Sequence, residues 1–174
     1  MIARRRLLEL GGGLIAALSL RALPAEANDT IEIVMRGNAD GSHVWFDPLG
    51  IHLDPGQTVR WTNLDPGNSH TCTAYHPDNY DHPLRIPPTA KPWDSDYLLP
   101  NEQFSVTLTV SGVYDLFCVP HEHAGMVCRL VVGNPATGQI PDSADGADGL
   151  PPEAALKNFP SVEEIVAKGI IRPA

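Results

Sequence analysis

The stretch "QFSVTLTVSGVYDLFCVPHEHAGMVCRLVVG", residues 103–133, narrows what this chain can fold into more than any other. Phe104, Val106, Leu108 and Val110 alternate on one face, the chain turns at Ser111-Gly112, and a second alternating run reaches Phe117. "MVCRLVVG" then reads as a third strand. Between the last two runs, residues 117–129 hold two cysteines, two histidines and a methionine. A loop so rich in sulfur and imidazole, fixed at both ends by strands, predicts a β framework that holds a metal-binding loop rigid.

The same grammar extends back to residue 30. "TIEIVM" alternates, and "GIHLDPGQTVRWTN" reads as two short strands with Asp54-Pro55-Gly56 turning between them. Many short alternating strands between Gly/Pro turns predict an all-β fold, an antiparallel sandwich or barrel with one core. One segment departs from the pattern. Residues 75–102 carry six prolines and little periodicity, a long Pro-rich loop that either wraps the sandwich or forms a docking surface.

The ends read differently. Arg4, Arg5 and Arg6, the weakly apolar "LLELGGGLIAALSL" and the closing Ala25-Glu26-Ala27 predict a signal peptide over residues 1–27. The arginine pair resembles a twin-arginine signal. Glu9 and Arg21 bracket too few apolar residues for a transmembrane helix. The expectation is a soluble periplasmic or extracytoplasmic protein with no membrane insertion of the mature chain. Of 12 basic and 21 acidic residues, cleavage removes four arginines and two glutamates, leaving a net charge of about −11. That surface repels nucleic acid and favours basic partners. Beyond a domain at 28–133, residues 134–150 read as a flexible acidic linker. Residues 151–174 read as an extension with a short helix, Ser161 and Glu164 forming its capping box, Gly169 its stop, and Val162, Ile165 and Val166 its apolar face.

Ligand chemistry selects the metal. Thiolate, imidazole and thioether suit neither magnesium nor calcium, and a thioether fits no usual zinc site. Two histidines, one cysteine and a weak axial methionine are the ligand set of a mononuclear blue-copper centre. Cys118, Met126 and one of His121 and His123 share a loop, so the second histidine comes from elsewhere. His70, after the Pro-Gly loop of "WTNLDPGNSHTCTAY", is favoured over His43, His52, His76 and His82.

"FDPLGIHLDPGQTVRWTNLDPGNSHT" and "YDLFCVPHEHAGM" resemble, in that order, two segments of the cupredoxin family, in particular its plastocyanin and pseudoazurin branch. The resemblance spans about residues 30–133 and implies a cupredoxin-like Greek-key β-sandwich. It implies a C-x2-H-x4-M loop, hence one type 1 copper held by His70, Cys118, His121 and Met126. The multicopper-oxidase spacing would make His123 the ligand and require a methionine where Cys128 stands. The dinuclear centre of respiratory oxidases needs C-x3-C, and Glu122 occupies its second place. The resemblance also implies that the Thr71 N–H donates to the thiolate, because Pro120 has no N–H to offer. Thr71 stands where the family commonly has Asn, which puts in doubt the side-chain bond that ties the two segments together. Cys72 and Cys128 each lie two residues past a proposed ligand, and a disulfide between them is expected; two separate buried thiols are the alternative.

A four-ligand copper site leaves no position for a substrate, so the expected role is an electron carrier and not an enzyme. Its partners would be redox proteins, such as a basic c-type cytochrome or a terminal reductase or oxidase. The resemblance implies electron exchange through the His121 edge within an apolar patch, to which Pro120, Ala124 and Gly125 are suited. The alternative is a periplasmic copper-trafficking protein with no redox role.

Overall fold

The computed structural model describes residues 30–134 and 150–174; the expected signal peptide and nearly all of the acidic linker lie outside them. Among the described residues, nine strands form two sheets. One contains β2 (Val44–Asp47), β1 (Ile31–Gly37), β4 (Gln57–Asn63) and β6 (Gln103–Leu108), in that order. The other contains β5 (Thr73–Ala74), β7 (Gly112–Phe117), β8 (Val127–Val132), β3 (Gly50–Leu53) and β9 (Ile170–Ile171). The expected sandwich is therefore present, but it is mixed and not purely antiparallel: β1 pairs with β4, and β3 with β8, in parallel. The reason lies in the turns. Asp54-Pro55-Gly56 and Ser111-Gly112 do not close hairpins; each hands the chain from one sheet to the other, so neighbours in sequence face each other across the core.

Alternation fills that core. Ile33, Met35, Val59 and Trp61 from the first sheet meet Ile51, Leu53, Leu116, Leu130 and Val132 from the second. In β6 only the even-numbered positions turn inward, with Leu108 buried and Phe104 and Val106 half-buried. β8 breaks the alternation, with all six residues buried. Its near-continuous apolar run is explained by cover on both faces, because the C-terminal extension packs on the outer one. There α1 (Glu153–Asn158) places Ala155, with Phe159 just beyond it, against Tyr75, Phe117 and Val127. The Pro-rich segment wraps the sandwich, burying Ile86, Trp93 and Leu98.

α2 (Val162–Lys168) begins where the capping signals place it. The Ser161 side chain accepts from the Glu164 N–H at 3.1 Å, and Gly169 ends the helix at φ 76°. Ile165 is fully buried while Val166 is 43 % exposed, so the apolar face is narrower than the sequence suggests. Beneath the extension lies a buried ionic cluster. Asp115 accepts from Arg85 Nε at 2.8 Å and from Arg129 Nε at 2.7 Å, and Arg129 also donates to the Pro160 carbonyl at 2.8 Å. Both guanidinium groups lie over the Phe159 ring. The extension is thus tied to the sheet by charge as well as by apolar contact.

The expected Cys72–Cys128 disulfide is absent; both residues are buried free cysteines. Strand order gives the reason. Ala74 pairs with Leu116 of β7, and Leu116 pairs in turn with Cys128 of β8, so β7 runs between the two thiols. Strands two apart in a sheet are separated by about 9.5 Å, beyond the roughly 7 Å Cα limit for a bridge. Both thiols lie in the same core cluster, but that does not make them adjacent. Thiol titration of the denatured, metal-free chain will find three reactive cysteines; a count of one would restore the disulfide. Asp115→Ala, which strands two buried arginines, should cost about 3–5 kcal/mol in chemical denaturation.

Candidate metal centre

The site is assembled from two segments at one end of the sandwich. His70 sits just before β5 and is clamped by Leu98, with reciprocal backbone bonds of 3.1 and 2.8 Å. Cys118 directly follows β7 and caps a 3-10 helix over Val119–Ala124. Three residues make one turn of such a helix, so His121 comes back over Cys118, its N–H donating to the Cys118 carbonyl at 2.9 Å. Gly125 turns the chain at φ 81°. The loop closes on itself, Cys118 N–H to the Met126 carbonyl at 3.0 Å and Met126 N–H to the His121 carbonyl at 3.1 Å. Cys118 and Met126 are fully buried, and His121 is half-buried.

Three donor atoms converge there. Cys118 Sγ lies 3.6 Å from His70 Nδ1 and 3.4 Å from His121 Nδ1, and the two Nδ1 atoms are 3.2 Å apart. All lie within 4.8 Å of one another, close enough for one ion to reach each. Among the described residues no carboxylate oxygen joins this group, and the soft donor set fits copper. Burial pushes the Cys118 thiol up to about 12, opposed by the Thr71 N–H that points at its sulfur. Burial lowers the His121 pKa, and the neighbouring His70 lowers it further.

Thr71 bridges the two segments twice. Its N–H donates to Cys118 Sγ at 3.3 Å, and its hydroxyl accepts from the Val119 N–H at 2.9 Å. The doubt raised by finding threonine in place of asparagine is thereby removed: a hydroxyl makes the tie. Thr73 Oγ1 fixes that hydroxyl at 2.9 Å and is itself held by Asp94 of the Pro-rich segment at 2.8 Å. Pro120, near the start of the 3-10 helix, is exposed.

Asp65 was not singled out in the sequence. Its Oδ2 accepts from His70 Nε2 at 2.9 Å, and both side chains are buried. A carboxylate only accepts, so the His70 proton resides on Nε2 and Nδ1 is left bare toward the cluster. Burial works to raise the Asp65 pKa, but the Asn68 side chain, the Gly67 N–H and His70 together hold it below the usual value. A second omission is Glu122, buried beside His121, which accepts from the Tyr75 hydroxyl at 2.7 Å. "LDPGNSH" does carry a turn signal in which Asp65 caps the Gly67 N–H at 2.9 Å. Nothing in it announces that the other oxygen faces a histidine.

The other histidines stay outside the cluster. His43 stacks on Trp45, His52 contacts the Gly133 carbonyl, and His76 accepts from the Asp78 N–H. His82 lies 3.5 Å from Glu122, and His123 is exposed. Gly125 departs from the exposed position expected of it: it is buried, and Asn158 of α1 donates to its carbonyl at 2.9 Å. A Cβ there would collide with that same side chain.

The family model for copper-binding proteins of the plastocyanin/azurin family matches residues 33–133. Plastocyanin of Chlamydomonas reinhardtii is 33 % identical over 131 residues, covering 75 % of this chain and 83 % of that one. Pseudoazurin of Methylorubrum extorquens is 31 % identical over 127 residues, covering 70 % and 76 %. Among solved structures, a Sinorhizobium pseudoazurin superposes with a TM-score of 0.57 at 26 % identity, covering 80 % of this chain and 94 % of the other. The chain belongs to the plastocyanin/azurin family of copper-binding proteins. Copper is its cofactor, and His70, Cys118 and His121 are positioned for the ion.

Thr71→Val keeps the shape and the backbone N–H but leaves the Val119 N–H without its acceptor. A loss of about 1–3 kcal/mol is expected in denaturant unfolding of the metal-free chain; no loss would mean the bridge does not hold the loop.

Proposed function

We propose that this protein is a single-electron carrier built around one type 1 copper, with His70, Cys118, His121 and Met126 as ligands. The observation that carries the reading is the convergence of two imidazole nitrogens and one thiol on a point reached from both segments of a β framework. Copper supplies one-electron chemistry by cycling between Cu(II) and Cu(I). The chain's own part is to hold the donors nearly still, so that little rearrangement accompanies each transfer. Three features support that rigidity: the Thr71 bridge, the closed Cys118–Met126 loop and the Leu98 clamp on His70. The C-x2-H-x4-M spacing and the burial of Met126 in the same core cluster as Cys118 support Met126 as the weak axial ligand.

The route for electrons is the His121 ring, half-buried and flanked by exposed Pro120 and Ala124. A partner seated there would be a redox protein, and the acidic mature chain favours a basic one, such as a c-type cytochrome or a terminal reductase or oxidase. With residues 1–27 acting as a signal peptide, the carrier works in the periplasm. Among the described residues no helix is long and apolar enough to cross a membrane.

Adding one equivalent of Cu(II) to the chain should give an intense visible band from thiolate-to-copper charge transfer. Cys118→Ser will abolish the band and His123→Ala will leave it nearly intact. Bound copper with no such band would exclude Cys118 as a ligand and favour copper trafficking.

A further inference from the structure

We infer that Asp65 is a positioning residue that sets the redox balance of the centre through His70, holding it toward the oxidised state. The inference rests on the ligand reading above. His70 is fully buried and Asp65 is 2 % exposed, so the carboxylate acts on the ring with little screening by water. It bonds the nitrogen opposite the one that faces the cluster, so its negative charge lies one imidazole ring from the metal position. Such a partner fixes the ring's tautomer and orientation and raises its donor strength. A fixed negative charge also favours the more highly charged ion, and oxidised copper carries one positive charge more than reduced copper.

The surroundings of Asp65 are built to keep the carboxylate in place. The Asn63 side chain accepts from the Asp65 N–H at 2.9 Å and donates to the carbonyls of Asn68 and Leu98, the residue that clamps His70. Oδ1 accepts from the Gly67 N–H, and Oδ2 is shared between His70 and the Asn68 amide at 2.8 Å. At the end of β1, Gly37 leaves the space the carboxylate fills; a Cβ there would overlap Asp65 Oδ2. No Arg or Lys pairs with Asp65 among the hydrogen bonds and ion pairs of the described residues. Among the described residues, its only cationic or titratable partner is the histidine.

Asn68 provides a control of opposite sign. Its amide draws on the same oxygen that His70 uses, so removing it leaves more of the charge for the ring. Asp65→Asn should shift the Cu(II)/Cu(I) equilibrium toward Cu(I) at least tenfold, a rise in reduction potential of about 59 mV or more for one electron. Asn68→Ala should move the potential the other way. A structural disturbance would not give opposite signs from two neighbouring substitutions. Potentials would be measured by redox titration of the copper-loaded full chain, recording the charge-transfer band in parallel.

That band separates the two readings: its absence in the unsubstituted chain refutes the ligand assignment. With the band present, shifts of the same sign, or less than twofold in Asp65→Asn, refute the role of Asp65. Should Asp65→Asn fail to fold, Asn68→Ala decides alone: a fall in potential upholds the inference and no change overturns it. On the metal-free chain, nitrogen chemical shifts of His70 should show the proton on Nε2. A proton on Nδ1 would contradict the inference without any copper being involved.

Discussion

Thr71 holds the two halves of the site together. Its N–H points at the Cys118 sulfur and its hydroxyl receives the Val119 N–H, so the segment entering β5 and the loop leaving β7 cannot separate without losing both bonds. Everything else at the centre is referred to that joint. His70 precedes it by one residue, Cys118 is its acceptor, and the 3-10 helix that returns His121 over Cys118 starts at the residue it anchors. The β5–β7 pairing continues this registration into the sheet, Thr73 opposite Phe117 and Ala74 opposite Leu116.

The rest of the molecule stabilises that end of the sandwich. Leu98 and Asp94 of the Pro-rich segment reach in to clamp His70 and, through Thr73, Thr71, which gives a stretch without regular structure a clear task. On the other side of the loop, α1 covers Gly125 and Phe117, and the Asp115 cluster anchors the extension beneath them. A buried ionic cluster is weak evidence for stability by itself. Here it fixes where the extension lies, and so which faces of the ligand loop stay open. Pro120, His123 and Ala124 remain exposed while Glu122 and Gly125 do not.

Much of this was legible in the sequence. Period-two alternation located the strands, Ser161 and Gly169 bounded α2, and the ligand types together with the family resemblance pointed to the residues that cluster. What the sequence concealed was lateral order. Alternation tells which face a residue occupies but not which strand lies beside it, and so Cys72 and Cys128 read as neighbours though β7 runs between them. The parallel pairings were hidden for the same reason, since a Gly/Pro turn looks alike whether it closes a hairpin or crosses between sheets. Asp65 and Glu122 were hidden differently: acidic residues in turns and loops are ordinarily solvated, and their burial involves residues distant in sequence, Gly37 for one and Tyr75 for the other.

His70, Cys118 and His121 are positioned to bind one copper between them. The most direct test is a crystal of the copper-loaded chain measured on both sides of the copper absorption edge. A single anomalous peak should lie among His70 Nδ1, Cys118 Sγ and His121 Nδ1, with Met126 as the weak axial ligand. A peak at His123, or at any site without Cys118, would contradict it.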